Sequence, residues 1–321
     1  MRPSAFHKSA FVAFFIFMLS ANILQAQDSN FPEGIAAIEQ ALLEAPADIR
    51  LVKPIRFEDD PAKSGMFIKP DSTFFRVKLM SAAPGGHDFN NEPRYEAAAY
   101  HFQKLFLDPA DFLVPPTAIR SMPLADYRKI DPEGEATFYK THSVVLSVQY
   151  WLQNATADNV YDKERLATDS LYARYLGNFN IFTYLIDHKD ANPGNYLISK
   201  DKNKPVVFSV DNGVAFDSDK SNRGYQWRSL QLKRFPASTI DRLREIRLQD
   251  LEKSLGVVAQ FAIKDGYLVN IKPEKNIDAA YGVRKSKTTI QFGLTQREIL
   301  NIHRRIEDLL KKVANGKIEI Y

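Results

Sequence analysis

A chain of 321 residues, 45% hydrophobic and 26% charged, has the balance of a globular protein that buries a core, which excludes disorder, collagen-like repeats and a multi-span membrane protein. Its 43 Lys and Arg against 39 Asp and Glu leave a formal charge of +4, too small and too dispersed for a nucleic-acid footprint. No cysteine occurs, so disulfides, thiol nucleophiles, thiolate zinc sites and iron-sulfur clusters are excluded, and any metal must be held by oxygen or imidazole.

The chain opens with Arg2 and Lys8, an apolar run from Ala10 to Ala21, and the small residue Ala26 before Gln27. This is the layout of a signal peptide over residues 1–26, and the run is shorter than the roughly 20 residues a spanning helix needs. No cysteine follows to make a lipobox, so the expectation is an exported, secreted or periplasmic protein of bacterial type. Ile35, Ile38, Leu42 and Leu43 fall at helical spacing between Pro32 and Ala45, and Pro46 ends the pattern. Strand texture follows over Leu51 to Phe57, Met66 to Lys69 and Thr73 to Met80, an antiparallel meander with its tight turn at Asp71 and Ser72. A polar loop with Gly85 and Gly86 leads into a helix from about Pro93 to Leu107. Pro115, Pro116 and Pro123 break regular structure before a buried strand, Val144 to Tyr150.

Beyond Asn154 the texture is helical. A long amphipathic segment is predicted over Lys163 to Leu185, then a hairpin of Tyr196 to Ile198 and Val206 to Val210 about the charged turn Ser199 to Lys204. Three further helices are expected, at Pro236 to Arg247, Leu248 to Lys264, and Thr295 to Ala314, the last with Thr295 as N-cap and Glu298 three residues on. The fold class is α+β. Residues 27–150 form a sheet lobe with one main helix, and residues 151–321 form a larger, mainly helical lobe. The basic runs Arg284 to Lys287 and Lys311-Lys312 read as solvated faces, leaving membrane contact at most peripheral.

The hairpin is flanked by His188-Lys189-Asp190-Ala191-Asn192-Pro193-Gly194-Asn195 on one side and by Val210-Asp211-Asn212-Gly213 on the other. Two carboxylates and an amide thus stand at the two ends of one hairpin, at the intervals of the H-R-D-x4-N and D-F-G elements of protein kinases. Phosphoryl transfer needs cations on the phosphate oxygens and a carboxylate that orients the attacking hydroxyl. One carboxylate cannot do both. In this reading Asp190 faces the acceptor, while Asn195 and Asp211 hold Mg or Mn. Asp, Asn, Pro and Gly also dominate ordinary turns, but turn chemistry does not require the second acidic motif. His188 reads as a packed structural histidine.

Such a site also needs a strand lysine for the phosphates and a glutamate on the following helix. Lys78, in Phe75-Arg76-Val77-Lys78, and Lys69, in Phe67-Ile68-Lys69-Pro70, compete for the first role, with strand geometry favouring Lys78. Glu96 is expected inside the helix, whereas Glu92 precedes Pro93 and falls before it.

With these residues the chain resembles an atypical member of the protein-kinase-like superfamily. It is closest in texture to the secreted Golgi casein kinase group, type II phosphatidylinositol 4-kinases and HipA-type bacterial kinases. Arg94 to Phe102 with Val114-Pro115-Pro116-Thr117 resembles the secreted kinases' helix and Val-Pro-Pro turn. Phe67 to Pro70 resembles the Phe-Lys-Pro strand of the secreted and lipid kinases, which argues for Lys69. Asp190 to Ile198 and Val210 to Phe216 resemble the lipid kinases' catalytic and metal-binding segments. The resemblance implies a bilobal kinase-like fold binding ATP with Mg or Mn. Two features depart from it: the turn Asp59 to Gly65 has one glycine in place of G-x-G-x-x-G, and Asn212 replaces the usual Phe with no A-P-E segment beyond. The strand ending at Tyr150 takes the hinge position, with the Val148 or Tyr150 backbone offered to adenine.

The leading expectation is an exported phosphotransferase moving the ATP γ-phosphate to a hydroxyl of a protein, sugar or lipid headgroup. The alternative is an exported pseudokinase or binding module of the cell envelope, supported by the scarcity of ATP outside the cytoplasm. Two-metal hydrolysis lacks further ligands, since His87, His101, His142 and His303 are scattered, and a Ser-His-Asp triad lacks a nucleophile elbow.

Overall fold

A computed structural model describes residues 28–46, 48–56, 61–88, 92–218, 221 and 223–321; the signal peptide expected over residues 1–26 lies outside these. The chain starts with helix α1 (Ile35–Glu44), then strands β1 (Asp48–Pro54), β2 (Ala62–Ile68) and β3 (Phe74–Ser81), helix α2 (Pro93–Gln103), β4 (Thr117–Pro123), the short α3 (Leu124–Tyr127) and β5 (Ser143–Tyr150). The strands pair antiparallel in the order β1-β2-β3-β5-β4. Along β3, Phe75, Val77 and Leu79 are buried on one face. Period-two alternation puts Lys78 on the other face, opposite Ser64 and Gln149 in the ladder. Phe67 stacks on Phe75 at 5.2 Å between centroids, and Phe75 meets Tyr150 at 5.6 Å, which holds β2, β3 and β5 together. Strand β4, with seven residues, lies in the stretch where the prolines predicted no regular structure. Pro116 sits just before it and Pro123 closes it at the sheet edge, where a missing N–H costs nothing.

The second lobe is built on β6 (Ala155–Thr156), α4 (Lys163–Thr168), α5 (Ser170–Leu185), β7 (Tyr196–Ser199), β8 (Val207–Ser209), β9 (Arg234–Phe235), α6 (Ala237–Glu245), α7 (Leu248–Leu255), β10 (Ala259–Lys264), β11 (Tyr267–Ile271), β12 (Val283–Lys285), β13 (Thr289–Phe292), α8 (Gln296–Ala314) and β14 (Glu319–Ile320). Helix α5 is its spine, with Tyr172, Leu176, Phe179, Phe182 and Leu185 fully buried. The predicted segment Lys163 to Leu185 is broken in two at Asp169, whose carboxylate accepts from the Tyr172 amide at 2.9 Å and caps α5. The fold is bilobal and α+β.

The expected helix Leu248 to Lys264 ends at Leu255, and a four-stranded sheet of order β11-β10-β13-β12 follows. Asp265-Gly266, at φ +50° and +79°, makes the two-residue turn with positive φ at both positions that matches the twist of a hairpin. This sheet docks on the first lobe: Ser121 Oγ donates to Leu268 O at 2.6 Å, Leu268 N to Ser143 Oγ at 3.0 Å, and His142 N to Gly266 O at 2.7 Å. Arg284, expected on a solvated face, is buried. Its guanidinium donates to the carbonyls of Gly256, Asp278 and Leu294, so its charge is spent on turn backbone.

Candidate active site

The hairpin β7–β8 carries the two acidic segments to one place. Val210 N donates to Asn195 O at 2.9 Å, so the turns holding Asn195 and Asp211 leave the hairpin side by side. Lys189 N donates to Val214 O at 3.0 Å, which closes the second segment onto the first. Asp187, Asp211 and Phe216 have φ of +50°, +60° and +59°, a left-handed backbone that Asp tolerates better than most residues and that is strained at Phe216. Gly224 packs on the same loop; a Cβ there would fall 2.4 Å from the His188 carbonyl oxygen. His188 is fully buried, its Nδ1 accepts from Asp190 N at 3.3 Å, and burial pushes its pKa down to about 4, so the ring is neutral.

Lys78 Nζ lies 2.9 Å from Asp211 Oδ1 across 133 residues of chain, which joins the two lobes at this point. Burial disfavours the Lys78 ammonium, but the carboxylates of Asp211 and Glu96 outweigh it and hold its pKa above the usual value. The same pairing with Lys78 lowers Asp211 below the carboxylate range. Glu96, inside α2, is raised, because burial outweighs the attraction of Lys78. Its Oε2 accepts from Asn212 N at 3.1 Å, while Oε1 is buried with no hydrogen-bond partner. Asn212, the residue in the usual Phe position, is itself fixed by Ser209 Oγ at 2.7 Å.

Asp190 accepts from every side. Asn195 Nδ2 reaches Oδ2 at 2.8 Å, Arg223 forks onto Oδ1 (Nε, 2.7 Å) and Oδ2 (Nη2, 2.8 Å), and Ser221 Oγ donates to Oδ1 at 3.1 Å. Arg223 and Ser221 escaped the sequence reading because neither belongs to a motif. A second cation that it missed is Arg56, two residues past β1, whose Nη2 is 4.0 Å from Asp211 Oδ2.

Lys69 is drawn elsewhere, pairing with Glu33 Oε2 at 2.5 Å ahead of α1. Glu92 sits at the N-cap of α2 and accepts from Arg94 Nε at 3.0 Å. The hinge expectation needs correcting. Val148 is paired between β3 and β4, and Tyr150 N donates to Pro116 O at 2.9 Å, so neither is a spare amide for adenine. Of the expected phosphate turn, Asp59 and Asp60 lie outside the described residues, and Ala62 to Gly65 belong to β2.

Among the described residues no cluster of three or more His, Asp or Glu is placed to hold a metal. A divalent cation bound through phosphate oxygens needs fewer protein ligands. Asp211, the Asn195 carboxamide oxygen, whose NH2 is already spent on Asp190, and the orphaned Glu96 Oε1 are a donor set of the right chemistry.

No protein-family model matches the chain, and no curated protein matches it by sequence. Solved structures do match. A hydra Fam20 structure determined with a sugar aligns with a TM-score of 0.55 at 16% identity, covering 89% of this chain and 92% of that one. The chain shares the kinase-like fold of that structure. A Golgi casein kinase structure aligns with a TM-score of 0.50 at 14% identity, covering 88% of this chain and 76% of that one. The expected kinase-like, bilobal fold is therefore present, with the C-terminal sheet as an addition to what the sequence reading foresaw.

Proposed function

We propose that this protein is a metal-dependent phosphotransferase that moves the γ-phosphate of ATP to a hydroxyl acceptor, and that it works after export. The observation that carries the reading is the Lys78–Asp211 ion pair with Glu96 beside it, which sets cation and metal-ligand chemistry against the turn bearing Asp190 and Asn195. Lys78 would hold the phosphates, with Arg56 near enough to assist. Asn195, Asp211 and Glu96 Oε1 would hold Mg or Mn, which supplies positive charge against the phosphate oxygens. Asp190 would accept the acceptor's proton as the new O–P bond forms and the bond to ADP breaks. The apolar run behind Arg2 and Lys8 supports export, and among the described residues no helix is long and apolar enough to cross a membrane.

The test is a thermal-shift titration of the chain from Gln27, with ATP and GTP in Mg or Mn, alongside Asp211→Ala. Nucleotide at about 100 times its Kd adds roughly 2.7 kcal/mol of stability. A metal-dependent shift abolished by Asp211→Ala is the expected result; no shift with any nucleotide sinks the reading. One observation favours the second reading, a nucleotide-binding module that transfers nothing: Asp190 already accepts three side-chain hydrogen bonds and is ion-paired with Arg223. Under that reading nucleotide binds, but no radiolabelled phosphate reaches protein, sugar or lipid hydroxyls.

A further inference from the structure

Residues of both edge strands of the first sheet, β1 and β4, line one open cavity of about 710 Å³, within the size range of small-molecule sites. None of Lys78, Glu96, Asp190, Asn195 or Asp211 lines it. Three features of this seam need explaining together.

The first is Arg120 on β4, only 8% exposed and lining the cavity. Its Nη1 donates to the Leu42 carbonyl at 2.6 Å, its Nε is buried with no partner, and no carboxylate among the described residues pairs with it. Burial alone pushes its pKa below the usual value. A buried guanidinium is normally matched by an anion. The other charges on the rim are already matched, Arg50 to Asp48 at 2.7 Å and Lys129 to Asp126 at 2.7 Å, so among the described residues Arg120 is the one lining cation without an anionic partner.

The second feature is the chemistry of the remaining wall, which is aliphatic: Ile49, Val52, Met122 and Ile130. The third is Leu51. The register of β1 against β2 shifts between Arg50 and Lys53, and at this irregularity Leu51 takes φ +51° and is 82% exposed on the cavity rim. A bulky residue in left-handed backbone is strained, and strand irregularities of this kind re-aim side chains. Leu51 is held out where it contributes nothing to the core.

The geometry points to a binding site for a small amphipathic carboxylate in the seam between β1 and β4, its headgroup on the free N–H groups of Arg120 and its aliphatic body against Ile49, Val52, Met122 and Ile130, with Leu51 closing over it. The ligand supplies both the missing counter-ion and a cover for the exposed leucine. This site is separate from the proposed phosphotransfer centre and does not depend on it.

Octanoate serves as probe, followed by thermal shift and titration calorimetry on the chain from Gln27, with 1-octanol and acetate as the neutral and tail-less controls. The expected result is saturable binding of octanoate, weakened about tenfold or more in Arg120→Met, the loss of one charge-assisted contact. Leu51→Gly, at a position already in glycine-favoring backbone, should bind more weakly while folding normally. Octanol and acetate should each bind worse than octanoate. No saturable octanoate binding by the wild-type chain, equal binding of octanol, or unchanged affinity in Arg120→Met overturns the assignment. If Arg120→Met does not fold, the octanol and Leu51→Gly comparisons still decide it. The ATP response is measured separately, so either proposal can fail without the other.

Discussion

Asp190 is the residue at which the two functional readings part. Its oxygens accept from Asn195, Ser221 and Arg223 Nη2 and are ion-paired with Arg223 Nε, yet Arg223 itself is 68% exposed in its side chain. An exposed ion pair contributes on the order of 1 kcal/mol or less, so an incoming hydroxyl can displace it. Arg223→Ala should therefore lower the acceptor KM about fivefold with kcat nearly unchanged, the cost of displacing one such pair. Steady-state kinetics with a fixed acceptor check this. A drop in kcat instead would make Arg223 a positioning residue that aims Asp190. The interval from His188 to Asn195 is legible in the sequence because it lies within one turn. Arg223 is not, since 33 residues separate it from Asp190 and only the packing of Gly224 on the His188 carbonyl brings it near.

Among the elements, α2 and α8 are bolted together by a buried charge cluster. Arg94 forks onto Glu298 at 2.7 and 3.0 Å, Tyr95 OH donates to Glu298 Oε1 at 2.5 Å, and Thr295 N donates to Glu298 Oε2 at 2.7 Å. Burial alone would raise the Glu298 pKa, but Arg94 outweighs it and the net shift is downward. Glu298 is thus the N-terminal lock of α8 and the anchor of the helix that bears Glu96. Removing one partner of a buried pair strands the other charge. Glu298→Gln should cost about 3 kcal/mol, read as a lower urea midpoint at unchanged m value. It should also weaken any nucleotide shift, because Glu96 rides on the same helix. The Thr295–Glu298 capping box was readable from spacing; that its carboxylate also binds Arg94, 204 residues away, was not. The hairpin β10–β11 shows the converse. The helix expected over Leu248 to Lys264 ends at Leu255, and Ala259 to Lys264 is a strand whose ladder partners, β11 and β13, lie beyond the predicted helix.

For the whole molecule, two histidines held neutral, His188 fully buried and His101 half-buried, set an acid limit. Burial lowers both His101 and His188 to about 4. A base with a depressed folded pKa takes up its proton on unfolding, so its stabilisation is complete above the unfolded value of about 6.5 and is lost as pH falls toward 4. Each histidine is worth on the order of 3 kcal/mol over that window. Urea unfolding at pH 7 and pH 4.5 should show a marked loss of stability at the lower pH, and His188→Gln should flatten it. Equal stability at both values would mean that the rings are protonated or exposed in the native state.

Composition, the absence of cysteine, the order of a sheet lobe before a helical lobe, and the acidic segments flanking one hairpin were all determined by the sequence itself, because each depends on neighbours close along the chain. Tertiary structure alone decided which lysine meets Asp211: strand geometry favoured Lys78 and the Phe-Lys-Pro resemblance Lys69, and the fold pairs Lys69 with Glu33 and Lys78 with Asp211. It alone placed Arg223 on Asp190, Arg94 on Glu298, and Arg120 at a seam without an anion. Charge partners are chosen by distance in space and by burial, and neither is encoded in the local period of a sequence.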